Sequence, residues 1–193
     1  MSFGKTLRRV WHFLWEEDSL LSWLVNIVLA FILVKFVIYP GLGLVLGTGY
    51  PVVAVVSGSM EHDGSFDSWW SSASNWYEQN GIPRQGFENF DFRNGFDKGD
   101  IMLLIGVKPE KVEGGEVIVY SVNSNIPPII HRVVEIEKVN NEFFFTTKGD
   151  HNQIADPQPV SQDRVVGKAV FRIPVLGYVK IWFTDFMSAV KGG

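Results

Sequence analysis

The chain contains no cysteine. That excludes disulfides, thiolate metal sites and a cysteine nucleophile, so covalent chemistry falls to Ser, Thr, His, Lys or carboxylates. A basic excess is also missing. Seventeen Lys and Arg against 21 Asp and Glu give a net charge of −4, whereas a nucleic-acid binder carries a basic face; no nucleic-acid partner is expected. No internal repeat and no Gly-rich phosphate loop is visible, and nothing calls for a cofactor. What remains is ordinary for a folded protein: 193 residues, 46% apolar and 20% charged, enough for one domain and a short appendage. Aromatics are in surplus, with 15 Phe, 7 Trp and 5 Tyr. A membrane interface is one place for them.

Charge is spread unevenly. Residues 1–56 hold Lys5, Arg8, Arg9 and Lys35 against Glu16, Glu17 and Asp18, a net +1, while the rest is acidic. Between Leu20 and Tyr39 runs LLSWLVNIVLAFILVKFVIY, with no acid, one Asn and one Lys. As a helix it spans about 30 Å, the thickness of a bilayer core. It is longer than the apolar stretch of a cleaved signal peptide and too uniformly apolar for a core helix. An uncleaved anchor is therefore expected, with Lys35 snorkelling to an interface. Lys5, Arg8 and Arg9 precede it, which places the N-terminus in the cytoplasm and the other ~150 residues outside it. This divides the chain into a cytoplasmic segment 1–19, an anchor 20–39, a main domain 40–177 and a tail 178–193.

PGLGLVLGTGYP follows the anchor, and its four Gly and two Pro predict a break in the helix. Val52–Val56 reads as a buried strand. Asp100–Gly106, Glu116–Val122, Ile129–Lys138, Glu142–Thr147 and Val165–Ile173 read as further short strands parted by Lys-Pro, Gly-Gly, Pro-Pro and Asn-Asn turns. The expected fold class is mainly β, an antiparallel domain. Residues 61–97, rich in Ser, Asn, Asp, Gly and aromatics, show no sustained period and read as an ordered loop or small subdomain. Their Trp69, Trp70, Trp76, Tyr77, Phe87, Phe90, Phe92 and Phe96 could form a mini-core, or could dip into lipid or cover a cleft. Glu61, His62 and Asp63 offer metal-ligating groups, but no second His stands at ligand spacing, so no metal is expected. In the tail, Val179, Trp182, Phe183, Phe186 and Val190 fall at helical spacing. That suits an amphipathic helix on the membrane or on the β domain.

Three polar elements could carry chemistry. Ser59 follows a buried strand, and Gly58 allows a sharp turn there; Ser-Gly-Ser is also a common turn. His131 interrupts the apolar IPPIIHRVV, where a satisfied core His is the plainer reading. Thr147–Asp156 (TKGDHNQIAD) is either an Asx turn or a device that presents carboxylates to an imidazole.

VSGSM (56–60), KGDIMLL (98–104), GGEVIVY (114–120), IPPIIHRVV (126–134), TKGDHNQIAD (147–156) and VVGKAVFRIPVLGYV (165–179) together resemble the type I signal peptidases. The order is that of the family, and the match is closest to its archaeal and endoplasmic-reticulum branch. It covers most of residues 20–180 apart from 61–97. The bacterial enzymes carry a Lys base where this chain has His131, so the resemblance implies a Ser-His-Asp arrangement. It implies Ser59 as nucleophile, His131 as general base, Asp156 as the acid of the triad, and Asp150 as a second acid beside them. Ser57 aligns with a hydroxyl of the oxyanion hole, which the Ser59 N–H completes. His151 stands where the family usually has Asn, and Ala155 where it often has a second acid.

On that resemblance the chain is expected to remove N-terminal signal peptides from preproteins after small-x-small sites. The free edges near Val53, Val55, Val56, Pro128, Ile129 and Ile130 are expected to bind the peptide as an added strand. The expected setting is the cell membrane or the endoplasmic-reticulum membrane. The partners are preproteins, the lipid bilayer, and accessory subunits or the translocon. A self-cleaving repressor type of peptidase fits less well, since it uses Lys and lacks an anchor. A non-catalytic, membrane-tethered β module that recruits partners is the alternative of another class.

Overall fold

The computed structural model describes residues 3–123 and 126–174. The predicted amphipathic tail lies outside the described residues. The chain forms two compact units, Met1–Val45 and Leu46–Gly193.

The first unit begins with helix α1 (Phe3–Trp15), which exposes Leu7, Val10, Trp11 and Trp15 alongside Lys5, Arg8 and Arg9. Helix α2 (Leu20–Leu33) starts at Ser19, whose side chain accepts from Ser22 N at 3.2 Å. Two polar side chains of the apolar stretch are spent on the end of α1. Ser22 Oγ donates to Phe13 O at 2.6 Å, and Asn26 Nδ2 donates to Leu14 O at 2.9 Å. They satisfy carbonyls that a helix C-terminus otherwise leaves open.

The helix does not break at Pro40, which corrects the expected loop. A π-helical turn (Val34–Ile38) leads into α3 (Tyr39–Leu46), giving a continuous apolar helix of 27 residues, Leu20–Leu46. Pro40 removes one backbone donor and crowds the preceding turn; the wider turn just before it gives room. In apolar surroundings the backbone must satisfy itself, so Gly41 and Gly43 stay helical against their propensity. At 1.5 Å per residue this helix is about 40 Å long, enough to cross a membrane.

Among the described residues of the second unit, seven strands form one sheet in the order β1-β2-β7-β3-β4-β5-β6, with every pairing antiparallel. They are β1 (Val52–Ala54), β2 (Ile101–Ile105), β3 (Val117–Tyr120), β4 (Ile129–Val139), β5 (Glu142–Lys148), β6 (Val160–Ser161) and β7 (Val165–Ile173). Only the two-residue β6 had no counterpart in the sequence reading. The expected mainly β, antiparallel fold is present.

The continuous apolar run of β3 reflects cover on both faces. Val117 and Val119 join Val55, Met60, Met102, Leu104 and Ile130, whereas Ile118 and Tyr120 join Val112, Val133, Phe145 and Val160. The period-two alternation continues into β4 and β5. His131 pairs with Ile118 and Thr147 with Val133. Their neighbours Arg132 and Lys148 pair with each other and send their side chains to the opposite side.

That opposite side is covered by residues 61–97. Helix α4 (Phe66–Gln79) is capped by Ser65, whose side chain accepts from Ser68 N at 3.2 Å, and it ends at Asn80 before Gly81 (φ 77°). Trp69, Trp70 and Tyr77 are buried against Phe87 of the short helix α5 (Arg84–Phe87), with Phe66, Ala73, Trp76 and Phe90 around them. This is the expected mini-core, less Phe92 and Phe96, which pack into the core beside Val55 and Met60.

Candidate active site

Ser59 sits in the turn that follows edge strand β1. Val55 keeps the ladder going, with its N–H donating to Asp100 O and its carbonyl accepting from Gly99 N, both at 2.9 Å. Beyond Val55 the chain turns: Glu61 N donates to Gly58 O at 3.1 Å. Met60, fully buried, pins the turn from below. Its carbonyl accepts from Phe96 N at 3.1 Å and its sulfur from Asp150 N at 3.4 Å. Ser59 O accepts from His151 N at 2.9 Å. The hydroxyl is thus set by a buried residue on one side and the 149–151 loop on the other. Ser59 Oγ lies 3.2 Å from Ser57 Oγ, and Ser57 is exposed.

His131 is nearly buried, and its Nδ1 lies 2.7 Å from Asp156 Oδ2. With the proton on Nδ1 the carboxylate accepts it, and Nε2 keeps a free lone pair. The same Asp156 oxygen accepts from Thr147 Oγ1 at 2.6 Å and Tyr120 OH at 3.0 Å. Burial alone raises the Asp156 pKa, but the hydrogen bonds from His131, Thr147 and Tyr120 outweigh it and hold the group below the usual carboxylate range. Burial and the same carboxylate raise Tyr120, so it stays a donor.

Gly149 brings the two halves together. A Cβ placed there falls 2.9 Å from His131 Nε2, 2.7 Å from Ser59 O and 2.8 Å from Asn152 Nδ2. The free nitrogen of His131 and the Ser59 backbone therefore face the same point, and only a hydrogen fits between them. Among the described residues Ser59 Oγ bonds to Ser57 rather than to His131.

Asp150 is placed differently. It is fully buried and takes a bidentate contact from Arg132, Nε to Oδ1 at 2.9 Å and Nη2 to Oδ2 at 2.7 Å. Tyr77 OH donates to Oδ1 at 2.9 Å, and His62 Nε2 lies 3.1 Å from Oδ2. Burial pushes its pKa up, but the Arg132 charge and the hydrogen bonds from His62 and Arg132 win and hold it well below the usual range. This carboxylate is used up in fastening the loop to β4. His151 is half exposed and lies 3.7 Å from Asp63, away from Asp156. His62, weighed in the sequence as a metal ligand, is instead stacked on Trp69 with ring centroids 3.6 Å apart. Among the described residues no group of three His or carboxylates could hold a metal ion.

Of the predicted peptide contacts, Val55 and Ile130 are buried in the core, Val53, Pro128 and Ile129 are half-buried, and Val56 is 51% exposed. Among the described residues β1 pairs only with β2, and none of them pairs with its other edge. Ile129–His131 pair with β3, whereas β5 joins β4 only from Arg132 onward. Both backbones thus offer free edges near Ser59 and His131.

No family model matches the chain. Curated proteins do. Over 157 residues the chain is 28% identical to the signal peptidase complex catalytic subunit SEC11C of Homo sapiens, covering 77% of this chain and 65% of that protein. The chain is similar to signal peptidase catalytic subunits. Subunit SEC11 of Colletotrichum graminicola is 28% identical over 159 residues, covering 78% of this chain and 74% of that protein. That of Yarrowia lipolytica is 27% identical over 159 residues, with 78% and 73% covered. The chain spans about two thirds of the length of the SEC11C subunits it matches.

Sequence reasoning missed Thr147 and Tyr120 as donors to Asp156, and Arg132 and Tyr77 as partners of Asp150. A strand's alternation carried a usable signal: Thr147 and Lys148 had to face opposite sides, as did His131 and Arg132.

Proposed function

We propose that this chain is a membrane-bound serine endopeptidase that removes N-terminal signal peptides from secreted and membrane preproteins after small-x-small sites. The observation that carries the reading is the His131–Asp156 hydrogen bond of 2.7 Å, with the free Nε2 turned to the Ser59 backbone across Gly149. A serine hydroxyl needs a base before it attacks a carbonyl. Ser59 Oγ swings from Ser57 to His131 Nε2, gives up its proton and attacks the scissile carbonyl. Asp156, held by Thr147 and Tyr120, fixes the imidazole tautomer and stabilises the imidazolium. The Ser59 N–H and the freed Ser57 hydroxyl bind the oxyanion. His131 then protonates the leaving amine, and water releases the acyl group by the same route. Asp150 positions the loop and takes no proton.

The preprotein adds to the open edge of β1 as a strand, with Val53, Val56, Pro128 and Ile129 around its alternate side chains. Small residues fit such walls. The Leu20–Leu46 helix crosses the membrane, with α1 and its Lys5, Arg8 and Arg9 on the cytoplasmic side and the β unit on the other. Trp11 and Trp15 suit the headgroup region there. SEC11 is named as a subunit of a complex, which favours accessory subunits for this chain as well.

Cleavage of a signal-bearing precursor by the full chain in liposomes tests the reading. Ser59→Ala is expected to abolish it, and Ser57→Ala to lower kcat by about 10²–10³, the usual cost of one oxyanion donor. Equal, mild losses in both variants contradict the assigned roles.

A further inference from the structure

Lys148 is 1% exposed, and among the described residues no acidic side chain forms an ion pair with its ammonium. Its Nζ donates to two backbone carbonyls of the loop that follows, Gly149 O at 3.1 Å and Asp150 O at 3.4 Å. The rest of the ammonium is walled by α4: it lies 5.1 Å from the Trp76 ring centroid and 4.6 Å from that of Tyr77. The same helix sends Trp69 Nε1 to Asp150 O at 3.3 Å and Tyr77 OH to Asp150 Oδ1. Three side chains of α4, Trp69 near its start and Trp76 and Tyr77 near its end, therefore reach Lys148 and the loop that follows it. A cavity of about 490 Å³, lined among others by Trp69, Trp76, Lys148, His151 and Asn152, opens beside them.

We propose that Lys148 is a positioning residue and that α4 is its clamp: the caged ammonium holds the Gly149 and Asp150 carbonyls, and the loop so held keeps Ser59 and His131 in working register. The link to the chemistry is short. A Cβ added at Gly149 would fall within 3 Å of both His131 Nε2 and Ser59 O, and His151 N donates to Ser59 O. A loop that slides toward the cavity lets go of the Ser59 carbonyl and moves the wall against which the imidazole rests. The inference builds on the peptidase reading above.

The cage has a further consequence. Burial pushes the Lys148 ammonium down to about 8, beyond what the pull of Asp150 restores, and Arg132 adds to the push while Asp156 opposes it. These charges reach it from β4 and from its own loop; α4 contributes only Trp76 and Tyr77, and Tyr77 stays neutral because burial and Asp150 raise it. His62 and His151 lie on Asp150 and Asp63. When Lys148 loses its proton, the cation–π contacts and the charge-assisted bonds to the two carbonyls weaken together. Folding stability moves the other way. The folded pKa lies below the unfolded one, so the unfolded chain binds more protons between about pH 8 and the ordinary lysine value of 10.5. Through that window the Lys148 contribution to stability rises with pH while activity falls. A merely structural lysine does not produce that divergence.

The test is a pH profile of precursor cleavage by the full chain in liposomes, with melting followed in parallel. Wild type is expected to lose kcat above about pH 8 with KM within about twofold. Lys148→Met should lower kcat at least about tenfold at pH 7 and lose the alkaline limb. Trp76→Leu admits water to the ammonium and should move the limb at least half a pH unit higher; it carries the test if Lys148→Met fails to fold. An active wild type with the limb unmoved by Trp76→Leu, or with kcat and limb unchanged in Lys148→Met, overturns the positioning role alone. A folded wild type that cleaves no precursor overturns the peptidase reading and this inference with it.

Discussion

Two aspartates six residues apart do different work because their surroundings differ. Asp156 is partly exposed and accepts from His131, Thr147 and Tyr120 at one oxygen. Asp150 is sealed, with Arg132, Tyr77 and His62 on its two oxygens. Asp156→Asn is expected to keep the fold and lower kcat by about 10⁴, since the amide favours the wrong imidazole tautomer. Asp150→Asn leaves the Arg132 charge buried without its partner, a loss of about 3–5 kcal/mol, read as a fall in melting temperature. The Asp150 pKa is depressed by folding, so its contribution is complete above the ordinary carboxylate value of 3.8 and fades as pH falls through the lower folded value. The melting gap between wild type and Asp150→Asn should therefore hold from pH 7 to pH 5 and close only in stronger acid. The family resemblance pointed to Asp156 as the acid of the triad, but the residues alone did not divide these roles. TKGDHNQIAD shows two acids near one imidazole, and which one reaches it depends on Asp156 N closing the loop onto Thr147 O at 2.8 Å.

At the scale of elements, the strands were legible because their signal is local: β-branched runs between Gly, Pro and Asn turns. Helix α4 was not. Its Trp69, Trp70, Ala73, Trp76 and Tyr77 do stand at helical spacing, but Ser and Asn fill the gaps, and the segment lacks the aliphatic stripe of an ordinary amphipathic helix. What fixes it is tertiary, the aromatic cluster with Phe87 and the bonds to Asp150. Trp69→Ala is expected to cost about 3–5 kcal/mol for a buried aromatic and to lower cleavage as well. The helix through Pro40 went unread for the opposite reason: glycine and proline propensities describe water, and an apolar helix answers to a different solvent. Edge strand β1 offers a cleaner probe. The Val55 N–H points at β2, so by alternation the Ala54 N–H points outward. Ala54→Pro removes that donor and spares the ladder, as edge strands allow. It should raise KM for an extended peptide about tenfold and leave the melting temperature within a few degrees.

For the whole molecule, the chain divides at Val45 and Leu46 into a unit that carries most of the apolar helix and a unit that carries the sheet and the candidate site. Under the proposed function, the anchor holds the β unit at the surface where a signal's apolar helix lies, and so raises effective concentration without a new contact. A chain lacking residues 1–45 should cleave a short soluble peptide at close to the full-length rate. Against liposome-embedded precursor it should fall behind by about 10². Equal rates on both substrates contradict the anchor's role.

The central claim is that Ser59 and His131 act as one unit. The direct measurement is kcat/KM for precursor cleavage by wild type, Ser59→Ala, His131→Ala and the double variant. Residues that serve a single step are strongly non-additive. Each single substitution should cost at least about 10³, and the double variant no more than the worse single one. Losses that multiply, or a His131→Ala chain within tenfold of wild type, contradict the account.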